Sequence, residues 1–253
     1  MNNLTIGVKI YVEDTDKTFH TLDDWDLALG NNNYIGDPEM ETTYIKIPGR
    51  DGLIDASEAV TGRRIYTKRS LSFELGGTRD RLNWDGVISH MRNEINGRIC
   101  QLTLDNDRSY YWRGRVYLTD FDRFRDLGTF TLEVPDADPY KYDVLSSSEP
   151  WLWDPFNFET GVIIQTGSII VDGTETVTIP AGHMLTCPSF VVTNRTSSSF
   201  LVQYKTIMGI IAQATLRDGS NTIPELLING DDPAELTFMG SATVQIVYRG
   251  GSL

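Results

Sequence analysis

The 253-residue chain has two cysteines, three histidines and no long apolar run. Each scarcity removes a class of chemistry. Cys100 and Cys187 are far apart and each lies in an apolar, strand-like run, so two buried thiols are expected rather than a bridge. Neither cysteine has metal-ligand spacing, and His20, His90 and His183 are scattered, which leaves no paired-ligand metal motif. The longest apolar stretch, Ile207 to Ala212 with Gly209 inside it, falls far short of the roughly 20 residues that a membrane span needs. The opening Met1-Asn2-Asn3-Leu4 shows no basic segment leading into an apolar core, so no signal peptide is expected. The reading is a soluble protein made in a reducing cytoplasm.

Bases are also scarce: 22 Lys and Arg against 35 Asp and Glu, for a net charge of −13. That balance argues against a nucleic-acid binder, which needs a basic stripe to displace counterions. Enzyme signatures are missing as well. There is no Gly-rich phosphate loop ending in Lys, no Gly-x-Ser-x-Gly elbow and no His-Glu-x-x-His pair. No catalytic residue, cofactor site or metal site is assigned.

Strand patterns fill most of what remains. Leu4, Ile6, Val8, Ile10 and Val12 alternate with polar neighbours, and Glu13 to Lys17 reads as a polar turn. Trp25, Leu27 and Leu29 suggest a short strand, with Gly30-Asn31-Asn32-Asn33 as a loop after it. Tyr44 to Ile47 alternates as a half-buried strand that stops at Pro48, and Gly49 and Gly52 bracket Arg50 and Asp51 in a turn. Leu71, Phe73 and Leu75 alternate again after about fifteen residues without hydrophobic periodicity, too many for a tight hairpin. This stretch reads as an arm.

One convincing helix follows, with Leu82, Trp84, Ile88, Met91 and Ile95 at helical spacing, Thr78 as its N-cap and Gly97 as its stop. Its apolar face is better explained as core than as a cofactor pocket. Cys100 to Leu104 and Tyr110 to Tyr117 form a hairpin around Asp105-Asn106-Asp107, and Phe130 to Val134 forms a strand ended by Pro135. A domain boundary is expected after Asp138-Pro139-Tyr140-Lys141-Tyr142, because the linker-like Leu145 to Pro150 comes next and the charge pattern changes. Residues 1–143 hold 25 acids and 18 bases; residues 144–253 hold 10 and 4. The second part reads as many short strands separated by turn residues, the pattern of a β-sandwich. Within it Ile207 to Leu216 fits either a strand or a short helix. Trp151 and Trp153 stand in an aromatic cluster that would pack the start of the sandwich or, if exposed, offer a partner-docking or sugar-stacking platform.

Four segments carry a resemblance to a known family. They are Ile47-Pro48-Gly49-Arg50-Asp51-Gly52 followed by Tyr66-Thr67-Lys68-Arg69; the run from Glu94-Ile95-Asn96-Gly97-Arg98 into Tyr110-Tyr111-Trp112-Arg113-Gly114-Arg115; Asp138-Pro139-Tyr140-Lys141-Tyr142; and the closing Val247-Tyr248-Arg249-Gly250-Gly251-Ser252-Leu253. In this order they resemble the distal tail protein family of bacteriophages with long, non-contractile tails. The first forty residues match it only loosely, and Glu13 to Asp24 is longer than the family's opening hairpin.

The resemblance implies a mainly β fold with one helix in the N-terminal domain. Residues 1–143 would form a tail-tube-like β-barrel or sheet with a long arm or belt hairpin, and residues 144–253 a galectin-like β-sandwich. It also implies a virion component of the tail tip or baseplate, assembled in the bacterial host cytoplasm. Six copies would form a ring that joins the tail tube to the host-adsorption apparatus, with DNA only as passing cargo. The expected partners are other copies of the chain, the tail tube protein, a tail-associated or tip protein, and a receptor-binding or upper baseplate protein. No membrane is involved. On this basis Tyr44, Ile47, Pro48, Gly49, Arg50, Asp51, Gly52 and Arg69 are candidate subunit-interface residues, and some acids are expected to face the lumen. The competing readings are a carbohydrate-binding module acting through the C-terminal sandwich, a wall hydrolase and a tail-tube subunit.

Overall fold

The computed structural model describes residues 6–59, 61–77, 84–124, 127–147, 167–182, 184–228 and 230–253. The chain divides into two compact units, Met1–Lys141 and Tyr142–Leu253. The fold is mainly β, with two helices among the described residues. Trp151 and Trp153, with Thr78 and Leu82, lie outside the described residues.

In the first unit the order is β1 (Val8–Val12), β2 (Lys17–His20), α1 (Thr21–Trp25), β3 (Leu27–Ile35), β4 (Tyr44–Ile45), β5 (Ile54–Asp55), β6 (Arg69–Gly77), α2 (Trp84–Glu94), β7 (Ile99–Leu104), β8 (Asp107–Arg115), β9 (Tyr117–Phe124) and β10 (Leu127–Ala137). One sheet runs β8-β7-β1-β2 and a second β3-β6-β10-β9, all antiparallel. Alternation in the sequence sets which side chains go inward. Val8, Ile10 and Val12 of β1, Leu71, Phe73 and Leu75 of β6, and Phe130, Leu132 and Val134 of β10 all enter one core. Each fully buried side chain of this size contributes roughly 1.5–3 kcal/mol.

Helix α2 brings Trp84, Val87 and Met91 into that core. Trp84 fits because β6 and β10 present glycines to it. A Cβ at Gly77 would sit 2.5 Å from the indole, and one at Gly128 3.0 Å from it. Past the helix Gly97 takes φ +76, the left-handed stop that glycine adopts without strain.

Four local expectations change. Trp25 ends the short helix α1 instead of opening a strand, because Asp26 takes a left-handed conformation and its N–H donates to Leu22 O. The Gly30–Asn33 loop belongs to β3: the ladder slips there, and Asn33 bridges the slip by donating to Gly30 O and accepting from Glu74 N–H. Pro135 does not end its strand; it sits where the β10–β6 register shifts between Val134 and Ala137, a bulge that needs no donor from it. Tyr44–Ile45 forms a strand, but an exposed one, so the half-buried reading fails for want of a covering layer.

The second unit opens with β11 (Lys141–Asp143), which carries the chain across the division. It continues with β12 (Ser168–Ile179), β13 (Ser189–Thr193), β14 (Leu201–Lys205), β15 (Ile211–Thr215), β16 (Gly219–Thr222), β17 (Ala234–Val247) and β18 (Gly251–Ser252). Ile211–Thr215 is thus a strand. β17 pairs with β12 along twelve residues on one side, and with β14 and then β13 on the other. Gly173 and Gly240 face each other in the β12–β17 pair, both at positive φ, at the point where β17 passes from β14 to β13. A Cβ on Gly240 would meet Ser199 O at 2.7 Å. Phe190, Phe200 and Phe238 fill the core beneath, with Phe200 and Phe238 stacked at 6.0 Å. The closing motif is tied down by Arg249, which donates to the carbonyls of Asp143 and Val144, and by Ser147, whose buried hydroxyl donates to Ile246 O and accepts from Tyr248 N–H.

Candidate assembly interface

Seven of the eight predicted interface residues occur on the arm, and its geometry explains why the sequence there resists a core reading. From Asp37 to Lys68 no described residue is buried. The base is a short ladder: Gly36 N–H donates to Ser70 O at 2.8 Å, Glu39 N–H to Lys68 O at 2.7 Å and Glu41 N–H to Ile65 O at 2.8 Å, with Met40 bridged to Tyr66. Farther out, β4 and β5 form a separate two-residue pair, Tyr44 with Asp55 and Ile45 with Ile54. Residues 56–59 and 61–64 leave the ladder between these two segments as local turns.

Polar side chains hold the arm where apolar packing is missing. The Asp55 carboxylate accepts from both the N–H and the hydroxyl of Ser57, and this keeps its pKa below the usual carboxylate range. Ser57 Oγ in turn accepts from Thr43 N–H at 2.9 Å. At the tip Gly49 and Gly52 take φ +80 and +81 with open space around them, which lets Pro48 to Leu53 reverse direction.

The arm therefore offers large apolar side chains to solvent. Tyr44 is 55% and Leu53 59% exposed, and Ile45 and Ile47 are exposed beside them, as are Tyr34 and Ile35 where the arm leaves β3. Arg50 and Asp51 lie between these groups without an ion pair among the described residues. Sequence reading singled out Tyr44 and Ile47; it missed Tyr34, Ile35 and Leu53, whose exposure depends on the arm having no layer behind it.

Arg69 is placed differently. It is 5% exposed, with its guanidinium 4.7 Å above the Trp112 ring, and its Nε and Nη2 find no hydrogen-bond partner among the described residues. Burial lowers its pKa and the nearby Asp37 opposes that. Arg69 thus roots the arm from below, while the remaining candidates stand on it. Two further contacts hold the base. Lys68 pairs with Asp136 at 2.7 Å, which raises the lysine pKa, and Tyr66 meets Tyr140 edge-on at 6.3 Å.

Tyr140 belongs to the Asp-Pro-Tyr-Lys-Tyr motif, and the motif is anchored in turn. Asp138 accepts from Arg113 at 3.3 Å, and Arg113 also grips Glu13 through Nε at 2.7 Å and Nη2 at 2.9 Å. The fork holds the Glu13 carboxyl below its ordinary pKa. Lys141 lies 4.1 Å over the Tyr110 ring. Motifs scattered through the sequence of the first unit thus meet at the arm's base.

The chemistry available here is association. Among the described residues no group of three or more His, Cys, Asp and Glu is placed to hold a metal. Both thiols are free: Cys187 is only half-buried, and burial pushes Cys100 up to about 12, far from a nucleophile's range.

No family model and no curated relative matches the sequence. The fold does match a solved structure, the Dit protein (gp 19.1) of phage SPP1, described as a paradigm of the hub adsorption apparatus in phages that infect Gram-positive bacteria. The match has a TM-score of 0.61 at 12% identity and covers 96% of this chain and 98% of that one. This chain has the fold of a phage distal tail protein.

Proposed function

We propose that the chain is the structural hub of a phage tail tip. Six copies close into a ring that joins the tail tube to the adsorption apparatus, and DNA passes through the centre. The observation that carries this reading is the end-to-end agreement of fold, 96% of one chain and 98% of the other, with a hub protein of known architecture. The arm supports it independently. A ring is a closed heterologous assembly in which one patch meets a different patch on the neighbour. An exposed two-stranded arm bearing Tyr44, Ile45, Ile47 and Leu53 is suited to that, since its edges can extend a neighbouring sheet while its side chains lose contact with water. Each such side chain fully buried is worth roughly 1.5–3 kcal/mol. Arg50 and Asp51 then act as register charges at the interface, and Arg69 supports the arm's root.

The partners follow from the same reading: the tube above, and a tip protein and a receptor-binding or upper baseplate protein below or around the rim. With −13 on each copy, acids facing the lumen keep DNA from adhering as it passes. Negative-stain microscopy of the purified chain tests the proposal. Six-fold rings are expected; a monomer at every concentration, or long open tubes, would overturn it.

A further inference from the structure

A second exposed apolar feature lies in the unit that the arm does not belong to. Between β14 and β15 the chain turns through Thr206 to Ile210, and three hydrogen bonds close the turn. Thr206 N–H donates to Ile210 O, Gly209 N–H to Thr206 O and Ile210 N–H to Thr206 Oγ1, while Gly209 takes φ +78. On this rigid tip Ile207, Met208, Ile210 and Ile211 face solvent, with Met208 at 80% and Ile211 at 69% exposure. Four adjacent aliphatic side chains make a patch on the order of a few hundred Å², comparable to the largest that a typical monomer exposes, and such patches are often functional.

The strand leaving the tip is open as well. β15 ends its sheet, in the order β15-β14-β17-β13-β16, and nothing among the described residues pairs with its far side. Exposed edges are ordinarily blunted by lysine, proline or a bulge. β15 reads Ile-Ala-Gln-Ala-Thr and runs in unbroken register against β14 from Leu201↔Thr215 to Lys205↔Ile211. From Thr206 to Leu216 there is no charged residue at all. Beside the tip lies a half-open groove of about 760 Å³, floored by buried Tyr204 and Leu226 and rimmed by Lys205, Asp232 and Glu235.

We propose that the β14–β15 hairpin is a docking site for an extended apolar strand of a different protein, flanked by lysine or arginine. The strand adds to the β15 edge and its apolar side chains cover the tip, while its basic flank turns across the tip to the groove, where it meets Asp232 and Glu235. Area and charge choose this occupant. A stable interface needs roughly 800 Å² from each partner, more than the tip supplies, so the edge and groove must take part. A second copy would bring the same acidic rim and the same excess of ten acids over four bases in residues 144–253 against its own kind. A bilayer is disfavoured because the tip carries no tryptophan and the one base beside it, Lys205, shares the rim with the acids Asp232 and Glu235. The site is independent of ring formation, and either can fail without the other.

The test uses the full chain and two synthetic peptides of alternating valine and threonine, one with lysine at both ends and one with glutamate. The lysine peptide is expected to bind about tenfold more tightly than the glutamate peptide and to slow hydrogen exchange at the β15 amides. Serine at Met208, Ile210 and Ile211 together should abolish binding with no change in thermal unfolding, and Gln213→Lys, which charges the edge but spares the tip, should weaken it. Should the triple variant unfold, Gln213→Lys alone carries the test. Equal binding of the two peptides, unchanged exchange at β15, or full binding by the variants would overturn the proposal. So would a concentration-dependent dimer that the variants lose, which makes the occupant a second copy, or vesicle binding that they lose, which makes it lipid.

Discussion

The arm and the β14–β15 hairpin both end in exposed aliphatic side chains, yet they are built in opposite ways. The hairpin grows out of a core: Phe200, Val202, Tyr204 and Leu216 at its root are buried, and Leu216 N–H donates to Phe200 O. The arm has no buried side chain among the described residues between Asp37 and Lys68 and is held by a few backbone and Asp–Ser hydrogen bonds. The tip is therefore a preformed surface, whereas the arm has little of its own to hold it and gains most from a neighbour. Exposed apolar side chains mean different things in the two places. On a rigid edge they mark where something docks; on a free arm they mark what a larger assembly must bury.

That contrast can be broken experimentally, and the largest effect should come from the hairpin's root. Phe200→Ala removes a fully buried ring stacked on Phe238 and should cost about 3–5 kcal/mol, whereas Ile47→Ala on the arm should stay within about 0.5 kcal/mol for the isolated chain; thermal unfolding measures both. Gly240→Ala forces a side chain into a φ of +123 and against Ser199 O, and a loss of about 1–3 kcal/mol is expected. If it were neutral, the crossing point of β17 would not need its glycine.

The acid limb of the stability profile probes the base on which the arm stands. The Arg113 fork depresses the folded pKa of Glu13, so the pair contributes fully above the ordinary glutamate range and is lost as pH falls through the depressed folded value. Glu13→Gln should lower stability at neutral pH by about 1 kcal/mol, allowing for partial exposure, and should flatten the acid limb. Hydrogen exchange on the monomer reads the contrast without any substitution. The amides of Ile45 and Ile54 should exchange close to freely, while those of Val202 and Tyr204 approach global protection. Strong protection along β4 and β5 in a monomer would erase the contrast.

Much of the first unit was legible in the sequence because its signals are local. The 3.6-residue spacing that ends at Gly97, and the alternation of Leu71, Phe73 and Leu75, are properties of a few neighbouring residues, and packing followed them. What escaped depended on remote partners. Asn33 repairs a slipped ladder with a side chain that must find Glu74, forty-one residues away. Pro135 looks like a strand end until the bulge opposite β6 is known. The arm was legible as a loop with an outward turn, but alternation at Tyr44 to Ile47 reports two faces without saying whether either is covered. Arg69 reads from its motif as an interface charge, and only the fold puts Trp112 beneath it. For the β14–β15 tip the signal was present: an eleven-residue uncharged run with four large aliphatics around Gly209. Periodicity could not show that it turns instead of continuing.

The proposed hub stands or falls on the arm as the ring interface. Native mass spectrometry of the full chain beside a variant lacking Pro48 to Gly52 tests it most directly. A hexamer is expected for the intact chain and a folded monomer, with unchanged thermal unfolding, for the variant. A variant that still assembles into hexamers would contradict it.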